Sequence, residues 1–344
     1  MTRMRAIVFG DDRKIRLEEV PVPEVGPGDV LLRPHFCGIC GTDLHAPSMT
    51  APFRAGVVMG HEFSAEVVAT GEQVQGWEPG TRVAVNPNGN LCGACGACRE
   101  ARFNLCRSAV FVNGIGIRHD GGMAELVTVD PNVLHRLPDP VSSEQGAFVE
   151  PLATAIRAVR RSRFRLGSSA AVIGSGPVGL LMVQALRNAG ASTITAIELS
   201  AFRRQAALDL GADIALDPRT EPPTDLFGAE LEPPEYVFEC SGAQGTLELA
   251  VDIVRYGGRG TLTGLPSRPV EVTATKVIGK EVDVVGSIIY VEEFPLAIDL
   301  LAKGAFDVES LISMVLPIAR FDEGFAALAN PVSTLKVLLH PTQN

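Results

Sequence analysis

The chain has no run of about 20 uninterrupted apolar residues, the length that a membrane-spanning helix requires, so a helical membrane protein is not expected. It also lacks the apolar core of about 7–15 residues that marks a secretory leader. The apolar run near its start, Ala6 to Gly10, gives way at once to Asp11, Asp12 and Arg13. A cytoplasmic protein with reduced cysteines is therefore expected. Positive charge is scarce: 30 Lys and Arg face 40 Asp and Glu, a formal net charge of −10. Neutralising phosphates takes a basic face, so nucleic acid is excluded as the main partner, and so is an anionic membrane surface. No internal repeat is visible.

What is present is ordinary for a globular protein: 344 residues, 46% hydrophobic and 20% charged, enough for two domains. To about residue 150 the chain is rich in Val, Gly and Pro. Short apolar stretches (Arg5–Phe9, Val30–Pro34, Glu66–Ala69, Arg82–Val85, Glu125–Val129) are broken by turn residues there. That texture predicts a barrel-like or sandwich domain of short strands. Glu144–Val159 reads as a helix. From Ser169 strands and helices alternate: strands at Ala170–Gly174, Thr193–Glu198, Tyr236–Glu239, Arg259–Thr263 and Asp283–Ser287, helices at Val178–Ala189, Arg203–Leu210 and Gly245–Val254. Such alternation implies a doubly wound parallel sheet, an α/β domain. The proline-rich stretch Asp217–Pro234 reads as a surface connection without chemistry. The C-terminal run Leu335–Leu339 reads as a strand returning to the first domain. The expected layout is residues 1–153 with 291–344 as one domain, and 154–290 inserted as the nucleotide domain.

The segment Gly174-Ser175-Gly176-Pro177-Val178-Gly179 follows an apolar strand and opens a helix. In G-x-G-x-x-G the first glycine (Gly174) permits a tight turn, the second (Gly176) lets backbone approach a pyrophosphate, and the third (Gly179) lets helix and strand pack closely. The pyrophosphate sits at the helix N-terminus. Glu198 ends the next strand, 24 residues after Gly174, close to the roughly 20 expected of a ribose-binding acid. A carboxylate there favours NAD over NADP. Arg203 and Arg204 compete with that reading, since either can pair with a phosphate. Arg203 beside the adenosine and Arg204 in solvent is the preferred arrangement.

Cys92, Cys95, Cys98 and Cys106 are spaced C-x2-C-x2-C-x7-C. Four thiolates in a reducing compartment suit a closed, tetrahedral structural zinc site. The spacing alone also resembles iron–sulfur ligation, but Gly89, Gly93 and Gly96 interleave the loop and no second cluster follows. Cys40 with His61 and Glu62, and Glu150 before Pro151, offer the mixed thiolate, imidazole and carboxylate donors of an open, catalytic zinc site. Cys37 reads as a small core residue.

Gly38-Ile39-Cys40-Gly41-Thr42-Asp43, Gly60-His61-Glu62, the four-cysteine lobe, Glu150-Pro151 and Gly174–Gly179 together resemble the zinc-dependent medium-chain alcohol dehydrogenases. The resemblance is to their (R,R)-2,3-butanediol, sorbitol (polyol) and threonine dehydrogenase branch, over nearly the whole chain. It implies a GroES-like β-rich catalytic domain plus a Rossmann domain, two zinc ions per chain, and NAD. It implies that Cys40 and His61 bind the catalytic zinc, with Glu62 or Glu150 completing the set, directly or through water. Thr42 and His45 match the proton relay and Asp43 the acid that orients His61. Val178, Glu198, Arg203, Gly264, Leu265, Ser287 and Ile288 match cofactor contacts. A homodimer or homotetramer is implied, paired along the strand Asp283–Ile289. Two departures weaken the sorbitol reading: Ala46 follows His45 where an aromatic is usual, and Ile289 stands where an arginine binds polyol hydroxyls, although Tyr290 is kept. The expected activity is hydride transfer from a secondary alcohol, diol or polyol to NAD. The alternatives are an amino-alcohol, aminosugar or cyclitol dehydrogenase, a zinc-free quinone-reductase relative using NADPH, or a protein that merely binds NAD.

Overall fold

The computed structural model describes residues 2–48, 53–89, 91–108, 113–329 and 333–343. Its strands, in chain order, are β1 (Arg3–Phe9), β2 (Ile15–Pro21), β3 (Val30–Gly38), β4 (Val57–Val58), β5 (Glu62–Thr70), β6 (Arg82–Val85), β7 (Val127–Val129), β8 (Leu134–Arg136), β9 (Ser169–Ile173), β10 (Thr193–Ile197), β11 (Ile214–Leu216), β12 (Tyr236–Glu239), β13 (Arg259–Leu262), β14 (Asp283–Gly286), β15 (Ile312–Pro317) and β16 (Lys336–His340). The chain forms two compact units: Met1–Glu150 with Phe294–Gly304 and Val308–Asn344, and Pro151–Glu293 with Ala305–Asp307.

The first unit holds a three-stranded sheet, β2-β1-β4, and a seven-stranded sheet, β15-β16-β3-β5-β6-β8 with β7 beside β3. Within the larger sheet β15 and β16 are parallel and the other pairs antiparallel. The alternation that made β3 legible is real: Val30, Leu32 and Cys37 are buried in one core with Phe63, Val67, Val83 and Val337, as the period-two geometry of a strand demands. Pro34 is tolerated inside β3 because the register against β5 shifts between Pro34 and Phe36, a bulge where a missing donor matters least. The register Gly38↔Glu62 and Leu338↔Gly38 brings three sequence-distant segments side by side.

One helix was expected over Glu144–Val159, and two are found, Ser143–Gly146 and Val149–Arg161. Ser142 and Gln145 close a capping box on the first, Gln145 N donating to Ser142 Oγ at 3.1 Å. Pro151 falls in the first turn of the second, where its missing N–H has no partner to lose.

The second unit is a six-stranded sheet, β11-β10-β9-β12-β13-β14, parallel throughout. Helices Pro177–Asn188, Ala201–Asp209, Thr246–Ile253 and Ala274–Lys280 connect its strands. The central strands β9, β10 and β12 are buried almost end to end, the signature of a sheet covered on both faces. Strand order reverses between β9 and β12. Ligands of such sheets bind at that switch point, outside the carboxyl ends of the strands. The expected unstructured stretch Asp217–Pro234 contains a short helix, Pro223–Leu226. Among the described residues no helix is long and apolar enough to cross a membrane.

Candidate metal centres and dinucleotide site

In the first unit Cys40 caps the short helix Gly41–His45. Its sulfur accepts from Thr42 N at 3.5 Å, and its own amide donates to Asp43 Oδ2 at 2.9 Å. This reciprocal box fixes Cys40 and buries Asp43 completely. Asp43 Oδ1 lies 3.6 Å from His61 Nδ1. At that distance neither atom makes a hydrogen bond among the described residues, but a carboxylate beside Nδ1 leaves Nε2 as the nitrogen placed to ligate, the side on which an outer carboxylate orients a metal-binding histidine. Donor atoms of Cys40, His61 and Glu62 all lie within 4.8 Å of one another, a spacing that a single cation can bridge; Glu150 is outside that trio. Burial, reinforced by the charge of Glu62, pushes the Glu150 carboxyl up to about 7.

Gly60, which precedes this pair, has φ +97°, and a Cβ on it would come within 2.6 Å of Cys37 Sγ and Met123 Cγ. Only glycine gives both the turn and the space. Cys37 is fully buried and packs there.

Thr42 Oγ1 lies 3.6 Å from Cys40 Sγ. His45, three residues on and so on the same helix face, is exposed. Sequence reasoning missed Lys336. It is buried on β16, ion-paired to Glu62, and donates to Ile39 O at 3.0 Å. A lysine in an apolar strand gives no local signal of such a partner.

The second cluster is closed. Cys92 Sγ lies 3.9 Å from Cys98 Sγ and 3.6 Å from Cys106 Sγ, and Cys95 Sγ 3.6 Å from Cys98 Sγ. All four sulfurs fall within 4.8 Å of each other. Backbone amides of Ala94 and Cys95 pull the Cys92 thiol down to about 6, whereas burial and the neighbouring thiols push Cys98 up to about 12. Four such donors fit a tetrahedral zinc, and the mixed trio with Asp43 behind it fits an open zinc site.

In the second unit the fingerprint turn has the geometry its glycines imply. Gly174 has φ +90°, and a Cβ on it would meet Ser241 Cβ at 2.8 Å. A Cβ on Gly179 would run into the backbone of Gly174. Gly176 is open: a Cβ there would have no neighbour nearer than Arg203 Nη1, at 4.0 Å. Gly176 also caps the helix Pro177–Asn188, with Val178 in its first turn, and among the described residues no side-chain hydrogen bond caps that end. Ser175 Oγ is buried with no hydrogen-bond partner among the described residues. Bare amides at the N-terminus of a 12-residue helix and an orphaned hydroxyl fit a dinucleotide pyrophosphate.

Glu198 accepts from Ser175 N at 2.8 Å and from Ser200 N at 2.9 Å, which anchors it beside the turn. Gly264 packs against Gly242 and Glu239, Leu265 is exposed, and Ser287 and Ile288 follow β14. Ser287 Oγ is also buried without a hydrogen-bond partner among the described residues. The expectation that Arg204 is solvated fails: it donates to Glu198 O and Leu199 O, both at 2.8 Å, and pairs with Asp217 at 3.1 Å.

An alcohol dehydrogenase GroES-like domain family matches residues 26–139, and a zinc-binding dehydrogenase family matches residues 177–303. The (R,R)-butanediol dehydrogenase of Bacillus subtilis (strain 168) is 36% identical, the match covering 98% of this chain and 100% of that protein. The sorbitol dehydrogenase of Gallus gallus is 34% identical over 93% and 92%. A zinc-binding dehydrogenase structure from Sinorhizobium meliloti 1021, bound to NADP, superposes with a TM-score of 0.92 at 32% identity, covering 99% and 100%. The fold is thus that of a GroES-like domain joined to a Rossmann domain. The chain belongs to the zinc-dependent medium-chain alcohol dehydrogenase family; it is an oxidoreductase of alcohols that takes zinc and NAD.

Proposed function

We propose that this chain oxidises a small secondary alcohol bearing a neighbouring hydroxyl, a vicinal diol in particular, with NAD as acceptor. The observation that carries this reading is the Cys40–His61–Glu62 trio with Asp43 on the second imidazole nitrogen, in a chain that also carries an uncovered fingerprint helix. When bound, zinc supplies Lewis acidity toward an alcohol oxygen and the nicotinamide accepts the hydride. Cys40 and His61 hold the metal. Glu62 is the third donor in reach, and Glu150 is a further carboxylate nearby. Asp43 keeps His61 oriented, Thr42 takes the alcohol proton, and His45 hands it to solvent. Gly174, Gly176, Pro177, Val178 and Gly179 seat the pyrophosphate, while Glu198 binds the ribose hydroxyls and Arg203 lies beside the adenosine. Gly264, Leu265, Ser287 and Ile288 line the nicotinamide half. Cys92, Cys95, Cys98 and Cys106 hold a second zinc that stiffens their loop.

The first unit acts as the catalytic domain and the second as the nucleotide domain. A diol is favoured over sorbitol because Ala46 stands where an aromatic is usual and Ile289 offers no donor where an arginine would bind polyol hydroxyls, although Tyr290 is kept. Similarity to the butanediol enzyme supports the same choice. The edge strand β14, with Val284 exposed and Ile278 and Tyr256 exposed nearby, supports pairing of two copies along that edge in a cytoplasmic dimer or tetramer. The test is NADH formation with a panel of 2,3-butanediol stereoisomers, sorbitol, threonine and cyclitols. Diols should give the highest kcat/KM. A highest value on an amino alcohol, aminosugar or cyclitol would replace the diol reading.

A further inference from the structure

Two arginines besides Arg203 crowd the turn that follows β10, and one carboxylate holds both. β10 and β11 pair in the register Ile197↔Leu216, with Glu198 N donating to Leu216 O at 3.1 Å. Asp217, the next residue, is thereby set beside the turn that carries Glu198, with only 9% of its side chain exposed. Its Oδ2 lies 3.1 Å from Arg204 Nη1 and accepts from Arg219 Nη2 at 2.6 Å. Its Oδ1 accepts from Arg219 Nε at 2.9 Å and Arg219 N at 3.1 Å. Both guanidiniums also reach the turn itself: Arg204 Nη1 donates to Glu198 O and Leu199 O, and Arg219 Nη2 to Leu199 O, all at 2.8 Å. The hydrogen bonds from Arg219 hold the Asp217 carboxyl below the usual carboxylate range.

A 2′-phosphate on an adenosine ribose carries about two negative charges at neutral pH. Its strongest protein partners are arginines, which bind it bidentately. Two are within reach of the ribose turn here, yet Arg204 Nη1 and Arg219 Nε and Nη2 are turned to Asp217 and to carbonyls of the turn. We propose that Asp217 is a cofactor-specificity residue: by holding Arg204 and Arg219 on itself it withholds them from a 2′-phosphate. The inference rests on the reading of Glu198 as the ribose acid. Discrimination then has two parts. Glu198 repels the 2′-phosphate, and Asp217 keeps the cations that would welcome it occupied. Removing Glu198 alone leaves the arginines tied; removing Asp217 alone leaves the repulsion. The two substitutions together should therefore gain more than the sum of each.

The test is fluorescence titration of the zinc-loaded protein with NADH and NADPH, comparing wild type, Glu198→Ala, Asp217→Asn and the double variant. Wild type should bind NADH the more tightly. Glu198→Ala should narrow the gap. The double variant should bind NADPH at least roughly tenfold more tightly relative to NADH than Glu198→Ala does, the scale of one charge-assisted hydrogen bond. Adding Arg219→Ala to the double variant should remove that gain. An unchanged NADPH-to-NADH ratio in the double variant would overturn the role of Asp217, as would equal loss of both affinities, the mark of a residue that only staples the turn. Should Asp217→Asn not fold, Arg219→Ala in the Glu198→Ala background decides: the side chain is 64% exposed, so folding is not at risk. NADPH affinity should stay the same there, and a tenfold fall would mean that Arg219 was never withheld. Absence of NADH binding by wild type would instead defeat the dinucleotide reading itself.

Discussion

Lys336 and Glu62 form an ion pair with both side chains nearly sealed from solvent, 2% and 3% exposed, behind the Cys40–His61 pair. Gly38 lies between their strands, and a Cβ on it would come within 2.6 Å of Glu62 Oε2 and Lys336 Cε. Two buried charges with a backbone carbonyl on the lysine are satisfied only as a set. Removing one partner of such a pair costs about 3–5 kcal/mol. Lys336→Met should therefore lower the unfolding free energy by about that amount, and Lys336→Met with Glu62→Gln should recover part of it. Because Glu62 is also a proposed metal donor, urea unfolding of the four proteins of the cycle is compared with the mixed site free of metal. Additive losses would show that the pair is not coupled.

Gly174→Ala should impair dinucleotide binding and stability together. Its φ of +90° is unfavourable for alanine, and its Cβ would press on Ser241. Strain of this kind costs roughly 1–3 kcal/mol. Melting temperature and NADH affinity should both fall, whereas zinc content should stay unchanged.

Acid should loosen the clamp between helices Thr246–Ile253 and Ala274–Lys280. Glu248 accepts from Lys276 Nζ at 2.6 Å and from Thr273 N and Oγ1 at 2.8 and 2.7 Å. The Lys276 hydrogen bond first, and those from Thr273 next, hold its carboxyl at about 2 rather than 4.5. A depressed folded-state pKa contributes stability that is present above the unfolded value and lost as pH falls through the folded one. Glu248→Gln should thus melt below wild type at pH 6, and the difference should vanish between about pH 4.5 and 2. A difference independent of pH would remove the ionised carboxylate from the explanation.

Cys98→Ser should destabilise without touching chemistry directly. Metal binding in a four-cysteine loop is coupled to folding of that loop. The variant should lose about one zinc ion per chain and melt earlier. Faster proteolysis should be confined to the stretch from Cys92 to Cys106. Unchanged melting with the zinc gone would end the structural role.

What was legible in the sequence was what is local. The fingerprint occupies six consecutive residues, the cysteine lobe fifteen, and the strand–helix alternation of the second unit shows in short windows. Lys336 was not legible because its partner is 274 positions away, and only the register of β16 on β3 and β3 on β5 joins them. Asp217 was passed over as part of a proline-rich connection, since a loop residue's partners are set by which strands lie side by side. The strand Ile312–Pro317 and the helix Phe321–Ala329 went unread, and one helix was read where Ser142 and Gln145 start a separate turn. The third metal donor was open between Glu62 and Glu150 in the sequence; the closeness of the Cys40, His61 and Glu62 donor atoms is what supports proposing Glu62.

The most direct measurement is zinc content and NAD reduction by Cys40→Ser beside wild type, with circular dichroism for the fold. Wild type should carry about two zinc ions per chain, four thiolates holding one and the mixed trio the other. Cys40→Ser should retain about one, keep its fold, and lose turnover by several orders of magnitude, since metal polarisation supplies several kcal/mol of transition-state stabilisation. Wild-type turnover in Cys40→Ser, or a wild type that reduces NAD with an alcohol while holding only the four-cysteine zinc, would contradict the assignment of Cys40 and His61 as the catalytic metal site.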